Sequence, residues 1–368
     1  MNPQSGARSD AMRTAVVLGT RPEIIKLSPV IRALRQKKRD FFVLHTGQHY
    51  SYNLDRVFFE NLGLGTPEIN LGVGSGSHAE ETGKMMIGIE KALMKEGADG
   101  VLVEGDTNSV LAGALAAAKL HVRVGHVEAG LRSRDRRMPE ELNRIVADHL
   151  SDILFPPTKQ SKANLLKEGI DRSKIFVTGN TIVDAVNQNL ELAMKAGHGS
   201  ILGGGESDYM LATVHRQENV DDAGVMSNII LGLERIAKEL GKPVIYPVHP
   251  RARNAMGRFG IKPDLSHLRL ADPVDYLQFL RLERNASMVL TDSGGVQEEA
   301  CIMGVPCVTL RDSTERPETV EVGANVVAGT RPDGILKAGL KMARKKGDWR
   351  NPFGDGKAAS RIIRAWTP

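Results

Sequence analysis

The sequence predicts an α/β protein of two doubly wound domains. Aliphatic runs alternate with amphipathic helical stretches along the whole chain, the alternation restarts near residue 209, and 368 residues are more than one ordinary core holds. The first series of strand-like runs covers residues 15–18, 41–46, 100–104, 122–127, 152–155 and 175–178. The second covers 209–214, 243–248, 268–270, 288–291, 307–310 and 325–327, with helical stretches such as 110–119 and 225–240 between the runs. Residues 179–207 join the two series through a helix-like segment and a glycine-rich stretch. The expected division is therefore 1–180 for the first domain and 181–350 for the second, with 351–368 as a helix that packs back on the first. In such folds ligands gather at the carboxyl ends of the strands, and two facing domains would share one central cleft.

The first strand-like run leads into Gly19-Thr20-Arg21-Pro22-Glu23-Ile24-Ile25-Lys26, where a dinucleotide-binding turn would carry several spaced glycines. Pro22 suits a first helical turn because it has no N–H to lose, and Glu23 suits the positive end of a helix. Ile24, Ile25, Leu27, Val30, Ile31 and Leu34 then recur at helical spacing and face a sheet. That leaves Arg21 and Lys26 beside exposed helix N–H groups, an arrangement that can hold a phosphate. An ordinary turn with solvated charges fits the local pattern as well.

The next strand ends deliver acids. Asp106 follows the run ending at Glu104, and Glu128 follows the run ending in His126-Val127. Glu140 and Glu141 follow Pro139 in a first helical turn. A helix cap accounts for Asp106 alone, and helix-dipole compensation for Glu140 or Glu141. Three such carboxylates brought to one rim would retain a proton near neutrality, which supplies an acid and a base for proton transfer at carbon. His121 and His126 are five apart, so on one strand they point to opposite faces and do not make a metal site.

The second domain carries a turn of its own, Thr291-Asp292-Ser293-Gly294-Gly295, which enters a helix whose N–H groups can cradle phosphate. Glu298 and Glu299 would then reach past the phosphate to a sugar diol. Arg316, in Glu315-Arg316-Pro317-Glu318, repeats the arginine-proline-glutamate arrangement of the first turn, and His215 with Arg216 follows another strand.

Composition narrows the partners. A net charge of +5 from 49 basic and 44 acidic residues is mild, and 4% aromatic content leaves few stacking platforms, so a small polyanion fits better than a nucleic acid. No apolar stretch is long or clean enough to cross a bilayer. Residues 1–13 are polar and do not read as a secretory signal, which together points to a cytoplasmic protein. Cys301 and Cys307 read as buried free thiols.

Taken together, GTRPEIIK, GDTNS, HVEAGLR, MPEELNR, HRQEN, TDSGGVQEEA and RDSTERPE resemble the non-hydrolysing UDP-N-acetylglucosamine 2-epimerases, over a span from about Arg13 to the last helix. The resemblance implies a GT-B architecture of two Rossmann-like domains. It also implies inversion at C2 of UDP-N-acetylglucosamine to give UDP-N-acetylmannosamine, by elimination of UDP to 2-acetamidoglucal and re-addition. It implies no metal, no other cofactor and a homodimer. It assigns acid and base roles to Asp106, Glu128 and Glu140, with His215 also important. UDP contacts fall to Arg21, Lys26, His215, Val274, Phe279, Ser293, Gly294, Gly295, Glu299 and Arg316, with Phe279 stacking on uracil. Gln48 and His49 match part of a second, regulatory nucleotide-sugar site. A hydrolysing epimerase, a GT-B glycosyltransferase and a nucleotide-sugar binding protein are the competing readings.

Overall fold

The computed structural model describes residues 12–47, 52–195 and 208–367. The chain forms two compact units, Met1–Ala185 with Phe353–Pro368, and Val186–Pro352. The first unit runs β1 (Thr14–Leu18), α1 (Arg21–Gln36), β2 (Phe41–His45), α2 (Tyr52–Asn61), β3 (Ile69–Asn70), α3 (His78–Glu96), β4 (Gly100–Glu104), α4 (Asn108–Lys119), β5 (Arg123–Val127), α5 (Pro139–Leu150), β6 (Ile153–Phe155) and α6 (Lys159–Lys167). Helix α7 (Thr181–Lys195) leads out of it. The second unit runs β7 (Met210–Thr213), α8 (Gln217–Val220), α9 (Ala223–Leu240), β8 (Val244–Pro247), α10 (Pro250–Phe259), β9 (Leu268–Ala271), α11 (Tyr276–Asn285), β10 (Met288–Thr291), α12 (Gly294–Met303), β11 (Cys307–Thr309), α13 (Pro317–Glu321), β12 (Asn325–Val327) and α14 (Pro332–Met342). Helix α15 (Ala358–Trp366) belongs again to the first unit.

Each unit holds one parallel six-stranded sheet, ordered β3-β2-β1-β4-β5-β6 and β12-β11-β10-β7-β8-β9. Both are doubly wound, as the sequence predicts. The direction of winding reverses between β1 and β4 in one sheet and between β7 and β10 in the other. In doubly wound sheets the loops at such a reversal diverge, and the region beyond those strand ends is where ligands bind.

Burial on both faces explains why the central strands are continuous aliphatic runs. Val17 and Val103 pack under the alanine-rich α4, where Gly113 lies so close that an added Cβ would stand 2.9 Å from Val103. In the second unit Met210 and Ala212 pack under Ile229, Leu233 and Ile236 of α9. Helix α1 carries Pro29 in its interior, which removes the donor that Ile25 O would receive. The Ser28 hydroxyl donates to that carbonyl instead, at 2.8 Å.

One expected strand does not form. Residues 175–178 make a single bridge from Ile175 to Leu154, and the sixth strand of the first sheet is the short β3 on the other edge. Pro156 and Pro157 follow β6 and have no N–H to return, so only Phe176 N and Thr178 N donate across, to Leu154 O and Pro156 O, and Phe176 and Val177 stay exposed. The C-terminal helix closes the unit. Trp366 is fully buried against Gly100 and Gly125, and its indole N–H donates to Thr14 Oγ1 at 3.0 Å. Asp184 caps α15 through the N–H groups of Ala358 and Ala359.

Cys301 and Cys307 are buried free thiols, and burial pushes Cys301 up to about 12. Among the described residues no helix is long and apolar enough to cross a membrane.

Candidate functional site

The winding reversal in the first unit brings together the turns after β1 and β4. Gly19 is required by close packing, because a Cβ there would collide with the hydroxyls of Thr46 and Ser109. Glu23 is buried and holds the turn: one carboxylate oxygen accepts from Gly19 N at 3.0 Å and Thr20 N at 2.7 Å, and the other accepts from the Thr107 hydroxyl at 2.8 Å. Burial pushes its pKa up to about 7, against the pull of those hydrogen bonds. The same residue thus ties the β1 turn to the β4 turn.

Lys26, one helical turn beyond, is committed to acids. Its ammonium lies 2.5 Å from Glu128 and 3.4 Å from Glu104, and all three side chains are nearly enclosed. Glu128 leaves the end of β5 with φ 67, a left-handed backbone that a side chain adopts at some cost. The strain is sustained because Glu128 N bonds to Phe155 O and its carboxylate is clamped by Lys26. Asp106 follows Gly105, whose φ of 83 turns the chain over the end of β4. Arg144 of α5 donates to the Asp106 carboxylate, and Asn143 donates to its carbonyl at 2.9 Å.

A buried layer lies behind these acids. The His126 ring meets Asp148 at 2.7 Å through one nitrogen and the Gly105 carbonyl at 2.8 Å through the other. Both partners only accept, so the ring donates twice and is an imidazolium. Burial works against that charge, but Asp148 and the Gly105 carbonyl outweigh it and raise the pKa. Asp148 is itself held below the usual carboxylate range: burial opposes this, and His126 and Arg132 prevail. The outcome is a rigid support for the Gly105-Asp106 peptide.

The two glutamates at the start of α5 divide. Glu141 is buried and accepts from Ser133 N, Arg134 N and the Ser133 hydroxyl, so it shapes the loop ahead of the helix. Glu140 is exposed. It precedes Arg144 by four residues and so shares the helix face that reaches Asp106.

In the second unit the reversal brings together the turns after β7 and β10. Asp292 is fully buried, and one oxygen accepts from His215 N, Arg216 N and the Asn219 amide at 2.9, 2.9 and 3.1 Å. Its other oxygen lies 3.1 Å from His215 Nδ1, which directs the remaining ring nitrogen of a partly exposed imidazole away from the core. Burial would raise the Asp292 pKa, but the contacts from His215 and the two N–H groups lower it. Ser293 precedes α12 without capping it, and its hydroxyl and the N–H groups of Gly294 and Gly295 have no hydrogen-bond partner among the described residues. That is an anion cradle at a helix start.

Around the cradle the charges pair off. Arg316 Nε is 2.9 Å from Glu298. Tyr276 donates to Glu299 at 2.9 Å, and burial together with the Glu298 charge pushes Glu299 up to about 7 despite that contact. Val274 and Phe279 lie on either side of the start of α11, both part-exposed. Arg21 is exposed, with its guanidinium 5.8 Å from the Phe58 ring. Gln48 and His49 lie outside the described residues.

The structure therefore gathers Lys26, Asp106 and Glu128 in one unit, and His215 with the Ser293–Gly295 cradle in the other. It adds Glu104, Arg144 and Asp292. Glu104 is concealed in the sequence as the last residue of a hydrophobic strand. Arg144 lies at helical spacing from Glu140 and Glu141, and that is the signal the sequence offers. Asp292 stands beside Ser293 in the same turn, yet only folding sets it against His215. Among the described residues no group of three His, Cys, Asp or Glu side chains is placed to hold a metal ion.

The family model for UDP-N-acetylglucosamine 2-epimerase matches residues 32–367. A UDP-N-acetylglucosamine 2-epimerase of Methanocaldococcus jannaschii is 54% identical across 97% of this chain and 99% of its own length. Its crystal structure in complex with UDP-GlcNAc and UDP superposes with a TM-score of 0.85 at 53% identity, covering 96% of this chain and 99% of that one. A UDP-2,3-diacetamido-2,3-dideoxy-D-glucuronate 2-epimerase of Pseudomonas aeruginosa is 43% identical across 95% of this chain and 98% of its own length.

Proposed function

The chain belongs to the UDP-N-acetylglucosamine 2-epimerase family, which makes it an isomerase, and from that premise we propose that it interconverts UDP-N-acetylglucosamine and UDP-N-acetylmannosamine. The observation that carries this reading is the carboxylate cluster at the winding reversal of the first unit, where Glu128 is clamped by Lys26 and Asp106 by Arg144. A binding protein has no need to crowd acids at a strand end, whereas inversion at carbon needs one group to remove a proton and another to return it.

In the proposed reaction the C1–O bond of the sugar breaks, and its electron pair leaves with UDP. The C2 proton passes to a carboxylate, giving 2-acetamidoglucal. UDP then adds back to C1 while C2 receives a proton on the opposite face. Developing positive charge at C1 lowers the cost of removing a poorly acidic C2 proton, so the leaving diphosphate must be stabilised. The N–H groups and hydroxyl at Ser293–Gly295, with Arg316, His215 and Arg21, are proposed to do this, and removing any one of these charge-assisted hydrogen bonds should cost about 1.5 to 3 kcal/mol. Glu299 is proposed to hold the ribose, Phe279 to stack on uracil and Val274 to contact it. Asp106 and Glu128, with Glu140, are the proposed acid and base. Lys26 contributes through Glu128.

We also propose a homodimer. Ile87 and Met94 of α3 and Leu142 and Val146 of α5 are exposed on helices that both pack against α4, a face that a second copy would cover. Sedimentation at micromolar concentration tests it: a monomer rejects the proposal.

Incubation with UDP-N-acetylglucosamine in deuterated water tests the activity. Deuterium at C2 of both epimers, with UDP still attached, is the expected result. Free sugar as the end product would indicate a hydrolysing enzyme, and exchange only with the diacetamido-glucuronate nucleotide would move the substrate to that class.

A further inference from the structure

We propose that Glu104 is a positioning residue for proton transfer: its buried carboxyl leaves the Lys26 ammonium to Glu128 only while it carries a proton, and its ionisation draws Lys26 away. The inference rests on the reading of Glu128 as a proton-transfer group.

Geometry carries it. Lys26 Nζ stands 2.5 Å from Glu128 and 3.4 Å from Glu104, with side-chain exposures of 11%, 7% and 2% for Lys26, Glu128 and Glu104. One ammonium cannot neutralise two carboxylates in such an enclosed place, so the cluster keeps a proton. The shorter contact assigns the cation to Glu128 and the proton to Glu104. Glu104 Oε1 has no hydrogen-bond partner among the described residues, so its contact with Lys26 is a longer ion-pair approach with no hydrogen bond to hold a negative charge on that oxygen.

The groups that face it agree. Burial raises the Glu104 pKa well above the usual range, Lys26 of α1 offsets part of this, and Glu128 beyond β5, Glu23 of α1 and Asp106 beyond β4 raise it further. Lys26 is the sole cation in that set. As pH rises and Glu104 ionises, Lys26 is shared between two carboxylates and its hold on Glu128 weakens.

The experiment follows kcat and KM against pH for the wild type, Glu104→Gln and Glu104→Leu, with UDP-N-acetylglucosamine as substrate. The wild type is expected to lose kcat on an alkaline limb. Both variants cannot ionise at this position, so that limb should vanish or move up by about one pH unit or more, with KM unchanged. A wild-type alkaline limb in both variants overturns the inference. So does failure of both to fold, because Glu104 would then serve the fold rather than Lys26. An inactive wild type removes the proposed function as well, whereas an active wild type whose limb the variants share removes only the role of Glu104.

Discussion

The two units share one strand order and place their polar groups at the same point in it, yet they use carboxylates in opposite ways. In the first unit Asp106 and Glu128 stand at the strand ends, and cations from helices, Arg144 and Lys26, reach them. In the second, Asp292 directly follows β10 and Glu299 lies in α12, and both are buried, Asp292 against His215 and Glu299 against Tyr276. The helix starts differ in the same sense. Glu23 satisfies the N–H groups of the β1 turn internally, while Gly294 and Gly295 keep theirs open. One architecture can thus present acids for proton transfer or donors for anion binding, depending on which groups the carboxylate at the strand end packs against.

If that contrast is correct, variants in the two units should separate in kinetics. The largest effect is expected from Asp106→Asn and Glu128→Gln, each lowering kcat by about 10²- to 10⁴-fold with KM little changed. Steady-state kinetics on the purified variants would show it, and a loss confined to KM would break the comparison. A smaller effect is expected from Asp292→Asn, which removes the charge that orients His215. Affinity for UDP should fall roughly tenfold, as read by calorimetric titration, because one charge-assisted hydrogen bond is weakened. Unchanged UDP affinity would separate His215 from the nucleotide.

The smallest effect concerns stability alone. Glu23 has its pKa raised to about 7 by burial, so between its ordinary value of 4.5 and about 7 the folded state binds more proton than the unfolded one. Its contribution is therefore fully present below 4.5 and is lost as pH rises through about 7. Urea denaturation across that window should show a falling component for the wild type that Glu23→Gln lacks. A component that rises with pH would reverse the sign and show that the hydrogen bonds at the turn dominate over burial.

Much of this site is legible in the sequence because strand ends and helix starts leave local marks. Gly19, Asp106, Glu128 and Ser293–Gly295 each follow a hydrophobic run directly, and a doubly wound sheet sends all such positions to one edge. Partner choice leaves no such mark. In the sequence Lys26 reads as a phosphate ligand, because the residues that claim it, Glu104 and Glu128, are distant along the chain. Glu140 and Glu141 are equivalent in a first helical turn until burial gives Glu141 to the loop at Ser133 and leaves Glu140 exposed. The missing strand at 175–178 shows the same limit. Phe176 and Val177 have strand propensity, but the prolines at 156 and 157 remove the neighbour's donors.

Periodicity and turn chemistry act over a few residues, and they were enough to reveal two doubly wound sheets, apart from the edge strand of the first, and the positions at which polar residues emerge. Which charges meet emerges only in the folded chain. An ion pair depends on distance and on burial, and both Lys26 against Glu128 and His215 against Asp292 join segments separated by more than seventy residues. Short-range preferences fix the path of the backbone, while the energy of a charge is set by everything packed around it.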